Sequence, residues 1–313
     1  MGAGRGCALL PWLLASALPA SLAVPSTVLG WRSVVRPELR VPDVLPAVQQ
    51  ALAFASSCVP PGAVTLSVIN RHHAKMRALQ FAFLRHRPCF MRRMVSVCYN
   101  VTDAFGACVH SSFAIPPSDF KRSHYANLIW AKWRIIAHAL QAARVVLWVD
   151  ADVLLLRNPW DRLSWNSSGV RYDIRYQSEK RCTASECPEL RAGCALLNGG
   201  QLLVSSAQLA RRIYRARPSN LTNTAELDQD YADAIIRGNG SSFSYCPLPG
   251  SYFAQCWHLK KFATPEQQST HPVPQPLPLC ARVTHHFNCV TTRKAKGDLM
   301  RQMVHDFSRK CNS

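Results

Sequence analysis

Apolar residues repeat along the chain with two periods, and their alternation predicts its elements. Ala63 to Asn70 (AVTLSVIN) reads as a strand, and Ala74 to about Arg85, with Met76, Leu79, Phe81 and Phe83, as a helix. Met94 to Tyr99 is a second strand. Tyr125 to Ala143 carries Leu128, Ile129, Ile135, Ile136 and Leu140 at near-helical spacing and leads into the apolar strand Arg144 to Val149. Ala195 to Ser205 (ALLNGGQLLVS) reads as a strand broken by its glycine pair. Ser206 to Arg217 and Glu226 to Arg237 read as helices, Thr264 to Pro278 as a proline-rich loop, Ala281 to Phe287 as a short strand and Lys296 to Phe307 as a closing helix. Strands alternating with helices predict an α/β domain with a mostly parallel sheet. There is no internal repeat.

The first residues break this pattern. Arg5 precedes an apolar stretch from Cys7 to Val24 that ends in Ser21-Leu22-Ala23, a secretory signal peptide or an uncleaved signal anchor. Pro11 and Pro19 make it an untidy membrane helix, which favours cleavage. Residues 24–62, rich in Pro and Ala, are expected to form a stem or wrap, and residues 63–313 a catalytic domain. Of 13 cysteines, all but Cys7 lie beyond the signal, an even set that suits an oxidising compartment. Cys182 and Cys187, or Cys246 and Cys256, are close enough in sequence to tie loops. Sequons starting at Asn100, Asn166, Asn220 and Asn239 point to the same route. The expected location is the lumen of the Golgi or endoplasmic reticulum, or outside the cell, with the N-terminal segment as the one candidate for membrane attachment.

Charge narrows the partners less. Lys and Arg number 37 against 18 Asp and Glu, a formal +19, which attracts nucleotides, nucleic acid, anionic glycans or membranes. The basic residues are scattered rather than gathered into a tail, so a nucleic-acid arm is not expected.

The chemistry is concentrated where the strongest strand ends. Asp150 and Asp152 stand two residues apart after Val145 to Val149 and before Arg157-Asn158-Pro159. In an extended chain they point the same way, and a turn would also bring them together. Two acids beside so apolar a run require a cation or donors, and a hard divalent ion that also takes diphosphate oxygens meets that need. The bare Asp-x-Asp tripeptide arises often by chance; its place after a buried strand gives it weight. Asn198-Gly199-Gly200 interrupts an apolar strand, marking either a bulge or close approach by a ligand. Asp228-Gln229-Asp230 opens a helix, where acids also suit the dipole. No Gly-x-Gly-x-x-Gly fingerprint is present, so a nicotinamide or flavin enzyme is unsupported.

Ala131-Lys132-Trp133-Arg134, VVLWVDADVLLLRNP, LNGGQLLVSS, ELDQDYADAII and THHFNC followed by Lys296 and Met300, in that order, resemble the nucleotide-diphospho-sugar transferase family of plants and algae, which includes xylosyl- and arabinosyltransferases. The likeness runs from about Ala63 to Phe307. It implies the GT-A fold, a single Rossmann-like domain, and transfer of a sugar from a nucleotide-diphosphate donor to a polysaccharide or glycoprotein hydroxyl with retention of configuration. Carried over by position, Asp150 and Asp152 match the metal-binding acids for Mn2+ or Mg2+, with Asp152 the more direct ligand. His286 matches the late histidine of that shell, with His285 beside it as the alternative. Lys132 corresponds to a basic donor-binding residue, while Lys294 and Lys296 correspond to groups that neutralise the departing diphosphate. Asn198, Gly199, Gly200 and Asp230 fall beside the sugar, Asp228 or Gln229 would stabilise its cationic transition state, and Asn70 would face the base. Two other classes remain: a metal-dependent hydrolase or nuclease, which needs a second acidic cluster, and a glycan-binding protein without turnover, which needs no nucleotide.

Overall fold

The computed structural model describes residues 41–70, 73–99, 101, 107–111, 125–163, 172–178, 197–218, 228–238, 240–249, 252–255, 278–288 and 292–311. The N-terminal leader, the four sequon asparagines, Cys182, Cys187, Cys256 and the proline-rich loop before Pro278 lie outside these residues. Among the described residues no helix is long and apolar enough to cross a membrane.

Four strands form a parallel array: β1 (Ala63–Asn70), β2 (Met94–Tyr99), β3 (Ala107–His110) and β4 (Val145–Val149). The sheet continues through β7 (Leu197–Val204) to β6 (Ile174–Ser178) and β8 (Tyr245–Pro247), giving the order β3-β2-β1-β4-β7-β6-β8. Only β7 opposes its neighbours, running antiparallel to β4 and β6, so the α/β architecture with a mostly parallel sheet is as expected. A smaller sheet joins β5 (Val153–Leu155), β10 (Thr284–His286) and β9 (Phe253–Gln255).

Both faces of the large sheet are covered, which explains why its strands read as unbroken apolar runs. Val146 and Trp148 of β4 point to one side, where α1 (Leu45–Ala53), α4 (Tyr125–Ala139), α5 (Ala207–Arg215) and α6 (Asp228–Arg237) contribute Val48, Trp130, Trp133, Ile213 and Ile236. Val145, Leu147 and Val149 point to the other, against Phe81, Leu84, Phe90 and Trp160. Each fully buried side chain of this size contributes roughly 1.5–3 kcal/mol. Helix α1 lies within the stretch read as a stem and buries Val48 and Ala51 in this core. A third cluster packs the C-terminal helix α7 (Arg293–Cys311) through Met300, Met303 and Phe307 against Leu154, Leu156 and Phe287.

Several boundaries differ from the periodicity. Helix α2 (Ala74–Gln80) stops before Arg85, and the chain turns through Phe81 and Leu84, both still buried, into the short α3 (Pro88–Met91). Pro88 disfavours a helical Arg87, whose ψ is 88°. Helix α7 begins at Arg293 rather than Lys296 because the Thr292 hydroxyl accepts from the Ala295 amide at 3.3 Å. Strand β7 is continuous, with every residue buried, although its pairing with β6 slips between Tyr176 and Gln177. Disulfides join Cys58 to Cys89, Cys98 to Cys108 and Cys280 to Cys311, and Cys246 is also disulfide-bonded.

Candidate active site

Strand β4 ends at Val149, the chain turns through Asp150-Ala151-Asp152, and β5 resumes at Val153. That turn is pinned at several points. The Asp150 amide donates to the Gly200 carbonyl at 2.9 Å, and the Phe287 amide donates to the Asp152 carbonyl at 3.1 Å. Gln80 Nε2 donates to the Asp150 carbonyl at 2.7 Å, and Gln80 is itself held by Arg77 Nη1 at 2.8 Å. The two acids therefore face one point at the carboxyl end of the parallel strands, where open α/β sheets bind ligands.

His286 completes the cluster. In β10 it pairs with Val153 and its side chain turns toward the acids, with Nε2 3.2 Å from Asp152 Oδ1. His285 points the other way, with Nδ1 3.5 Å from Arg282 Nη1 and its ring against Phe287. Strand alternation thus turns His286, and not His285, toward the acids. Ligating atoms of Asp150, Asp152 and His286 all lie within 4.8 Å of one another.

The electrostatics of the two acids differ. Burial pushes the Asp150 carboxyl up from its ordinary value, against the pull of Lys132, with Asp152 adding to the rise and His286 and the Trp148 indole opposing it. Trp148 Nε1 donates to Asp150 Oδ1 at 2.7 Å. Burial also works against charge on Asp152, but Lys296 and His286 outweigh it and hold this carboxyl well below the ordinary range. Lys296 Nζ bonds Asp152 Oδ2 directly. Asp150 is therefore a carboxylate short of positive charge beside a second carboxylate and an imidazole. Two hard oxygen donors and one borderline nitrogen suit a divalent cation such as Mn2+ or Mg2+, so the residues present fit a metal.

The glycine pair is explained by what lies against it. A Cβ on Gly200 would sit 2.1 Å from His286 Cε1, and one on Gly199 would sit 2.6 Å from Lys132 Nζ. Asn198 Oδ1 accepts from the Gly200 amide at 2.9 Å. Lys132 is 3% exposed; its ammonium meets Asp228 Oδ2 at 2.8 Å and the Gly199 carbonyl at 3.1 Å. Trp133 Nε1 donates to the same Asp228 oxygen at 2.7 Å. Lys132 and Asp228 thus form a buried, hydrogen-bonded pair beside Gly199.

The other expected residues lie at varied depths. Gln229 is half-buried and Asp230 exposed in the first turn of α6. Lys294 is exposed, whereas Lys296, two residues on, reaches Asp152. Asn70 is buried at the end of β1, where its Oδ1 accepts from the His73 amide at 3.2 Å. Sequence reasoning missed Gln80, Trp133, Trp148 and Gln177. Trp148 could have been found, since it stands on β4 two residues before Asp150, the spacing at which an extended chain turns side chains the same way.

The sequence profile described as nucleotide-diphospho-sugar transferase matches residues 88–300. No curated protein sequence matches the chain. Among solved structures it resembles the galactosyltransferase LgtC in complex with donor and acceptor sugar analogs, at 12% identity over 76% of this chain and 95% of that one, with a TM-score of 0.48. It also resembles a glycosyltransferase involved in glycosylation of the major capsid of PBCV-1, at 12% identity over 77% and 98% and a TM-score of 0.44. Mouse xyloside xylosyltransferase 1 in its apo form gives 12% identity over 74% and 99%, with a TM-score of 0.43. With most of its length under that profile, the chain belongs to the nucleotide-diphospho-sugar transferase family and is a glycosyltransferase.

Proposed function

We propose that this enzyme transfers a sugar from a nucleotide-diphosphate donor to a glycan or glycoprotein hydroxyl, with a divalent metal and with retention of configuration, in the lumen of the secretory pathway. The observation that carries the metal is the convergence of Asp150, Asp152 and His286 within 4.8 Å. Once bound there, Mn2+ or Mg2+ would supply the positive charge that lets the diphosphate leave. Asp152 and Asp150 would hold the ion through oxygen and His286 through nitrogen. Lys296, already on Asp152, adds a cation at the same edge for the diphosphate, with Lys294 in the same helical turn.

The sugar side is assigned to Asn198, Gly199, Gly200, Gln229 and Asp230. Lys132 was expected to touch the donor directly. Its burial against Asp228 and the Gly199 carbonyl supports a different task, fixing the strand that lines the sugar. Asp228 spends one oxygen on Lys132 and Trp133, which supports an anchoring role and leaves half-buried Gln229 as the group to stabilise the oxocarbenium-like sugar. Attack from the face of the leaving group fits a site that shows no obvious nucleophile among the described residues. Asn70 closes β1 at the end where the base would lie. The xylosyl- or arabinosyltransferase likeness makes a pentose donor the first to try. The disulfides support a lumenal location, with attachment, if any, through the N-terminal segment.

Calorimetric titration with uridine diphosphate and Mn2+ tests the reading. Nucleotide binding that requires the ion is expected, and binding indifferent to chelator overturns it. A panel of nucleotide-sugars, scored for metal-dependent donor hydrolysis, then identifies the sugar.

A further inference from the structure

Gln177 has no part in the roles assigned so far, yet it is the buried polar group that faces the imidazole of His286. It sits in β6, 2% exposed, where the pairing of β6 with β7 slips: Tyr176 stands opposite Leu202, and Gln177 opposite Asn198. The slip passes over Gly199-Gly200-Gln201, and the His286 ring lies against Gly200. The irregularity thus brings three elements, β6, β7 and β10, around one ring, as bulges do when they re-aim a side chain.

The hydrogen bonds of Gln177 have one consistent direction. Its Nε2 donates to the carbonyls of Phe253 at 3.2 Å and Ala254 at 3.1 Å, two groups that can only accept. Its Oε1 therefore faces His286 Nδ1 at 2.8 Å, and an amide oxygen can only accept. The proton of this contact belongs to Nδ1. A neutral imidazole with its proton on Nδ1 keeps its lone pair on Nε2, the atom 3.2 Å from Asp152 Oδ1.

The alternative shows why this matters. Asp152 is also an acceptor, so without Gln177 the neutral ring would place its proton on Nε2, toward the carboxylate, and close the lone pair that a metal needs. We propose that Gln177 is a positioning residue for the metal site: its amide, oriented by the Phe253 and Ala254 carbonyls, keeps the His286 proton on Nδ1 and presents Nε2 as a ligand. The metal part of this proposal rests on the reading of Asp150, Asp152 and His286 as a cation site; the proton placement does not.

The test uses the full chain without nucleotide. Nitrogen-15 long-range NMR in alkaline buffer locates the His286 proton in metal-free protein, and Mn2+ titration followed by electron paramagnetic resonance measures affinity. In the wild type the proton is on Nδ1. Gln177→Leu is expected to move it to Nε2 and to weaken Mn2+ binding about 10–100-fold, the usual cost of losing an outer-shell partner. Gln177→Glu retains an acceptor for Nδ1 but loses both donors, so it should keep the proton on Nδ1 and recover most of the affinity. A wild-type proton on Nε2 overturns the proposal without any variant. So does a folded Gln177→Leu protein with unchanged proton and affinity, or a Gln177→Glu protein as impaired as Gln177→Leu. If the wild type binds no Mn2+ while the proton sits on Nδ1 and moves in Gln177→Leu, the cation reading fails and the positioning by Gln177 stands.

Discussion

Two Lys–Asp pairs flank the glycines of β7, and they differ mainly in their access to water. Lys132 and Asp228 have side chains 4% and 5% exposed, with Trp133 and the Gly199 carbonyl taking further hydrogen bonds. Lys296 and Asp152 have side chains 20% and 13% exposed, and Asp152 Oδ1 also lies 3.2 Å from His286 Nε2. A buried pair with satisfied hydrogen bonds cannot lose one member without stranding the other. A half-open pair can exchange its cation. The same residue types therefore form a closed, hydrogen-bonded pair on one side of Gly199-Gly200 and a half-open one on the other.

Breaking the closed pair should have the largest effect. Lys132→Met leaves Asp228 ionised and unpaired in the interior, and urea unfolding should show a loss of about 3–5 kcal/mol. Lys296→Met should lose no more than about 1 kcal/mol in the same assay, because the pair is partly solvated. Equal losses would erase the distinction between the two sites.

Removing the acid of the open pair should act on turnover instead. Asp152→Ala takes one carboxylate from the proposed cation site, and kcat for donor turnover should fall at least about 100-fold, equivalent to about 2.7 kcal/mol of barrier. Activity that survives in Asp152→Ala and in chelator would sink the metal-dependent mechanism.

The two pairs were not equally legible in the sequence. Asp150 and Asp152 could be read because an apolar strand delivers them and an extended chain turns alternate residues one way. Lys296 and His286 followed only from motif order, and strand alternation then separates His286 from His285. Lys132 and Asp228 were singled out, but not as partners, since their wide separation in sequence hides a contact made by packing α4 and α6 on one face of the sheet. Gln177 was invisible for the same reason: it stands 109 positions before His286 in the chain, and nothing local links them. The sheet strands Ala63–Asn70 and Met94–Tyr99 were read to the residue because burial on both faces imposes a continuous apolar run. Helix ends were read less well, being set by single groups such as the Thr292 hydroxyl rather than by periodicity.

The glycines between the pairs sharpen the contrast at intermediate cost. Gly200→Ala puts a methyl onto the His286 ring, which is stiff and held by Gln177, so about 1–3 kcal/mol of stability should be lost together with Mn2+ affinity. Gly199→Ala meets the far end of the Lys132 side chain, which can shift, so its cost should be smaller and should leave Mn2+ affinity nearer the wild type. A reversed order, measured by thermal melting and Mn2+ titration, would show that the ring is free to move.

The smallest effect concerns Asp150, and its sign is the informative part. Burial raises its carboxyl above the ordinary range, so the unfolded chain gives up this proton at lower pH than the folded one. Folding stability therefore declines as pH rises from the ordinary carboxylate range through the raised folded value, and the deficit remains at neutral pH. Asp150→Asn removes that deficit. In chelator near neutral pH the variant should melt as high as the wild type or gain up to about 1 kcal/mol, and the gain should fade in acid, where both states are protonated. Added Mn2+ should reverse the order, because binding to the native state raises the stability of a chain that retains the ligand more than one that lacks it. Asp152 behaves oppositely: its depressed value contributes stability above the ordinary carboxylate range that is lost as pH falls through the folded value. An Asp150→Asn protein that melts lower than the wild type in chelator at neutral pH would mean that Trp148 and Lys132 already satisfy this carboxylate, and that no missing cation is needed to account for it.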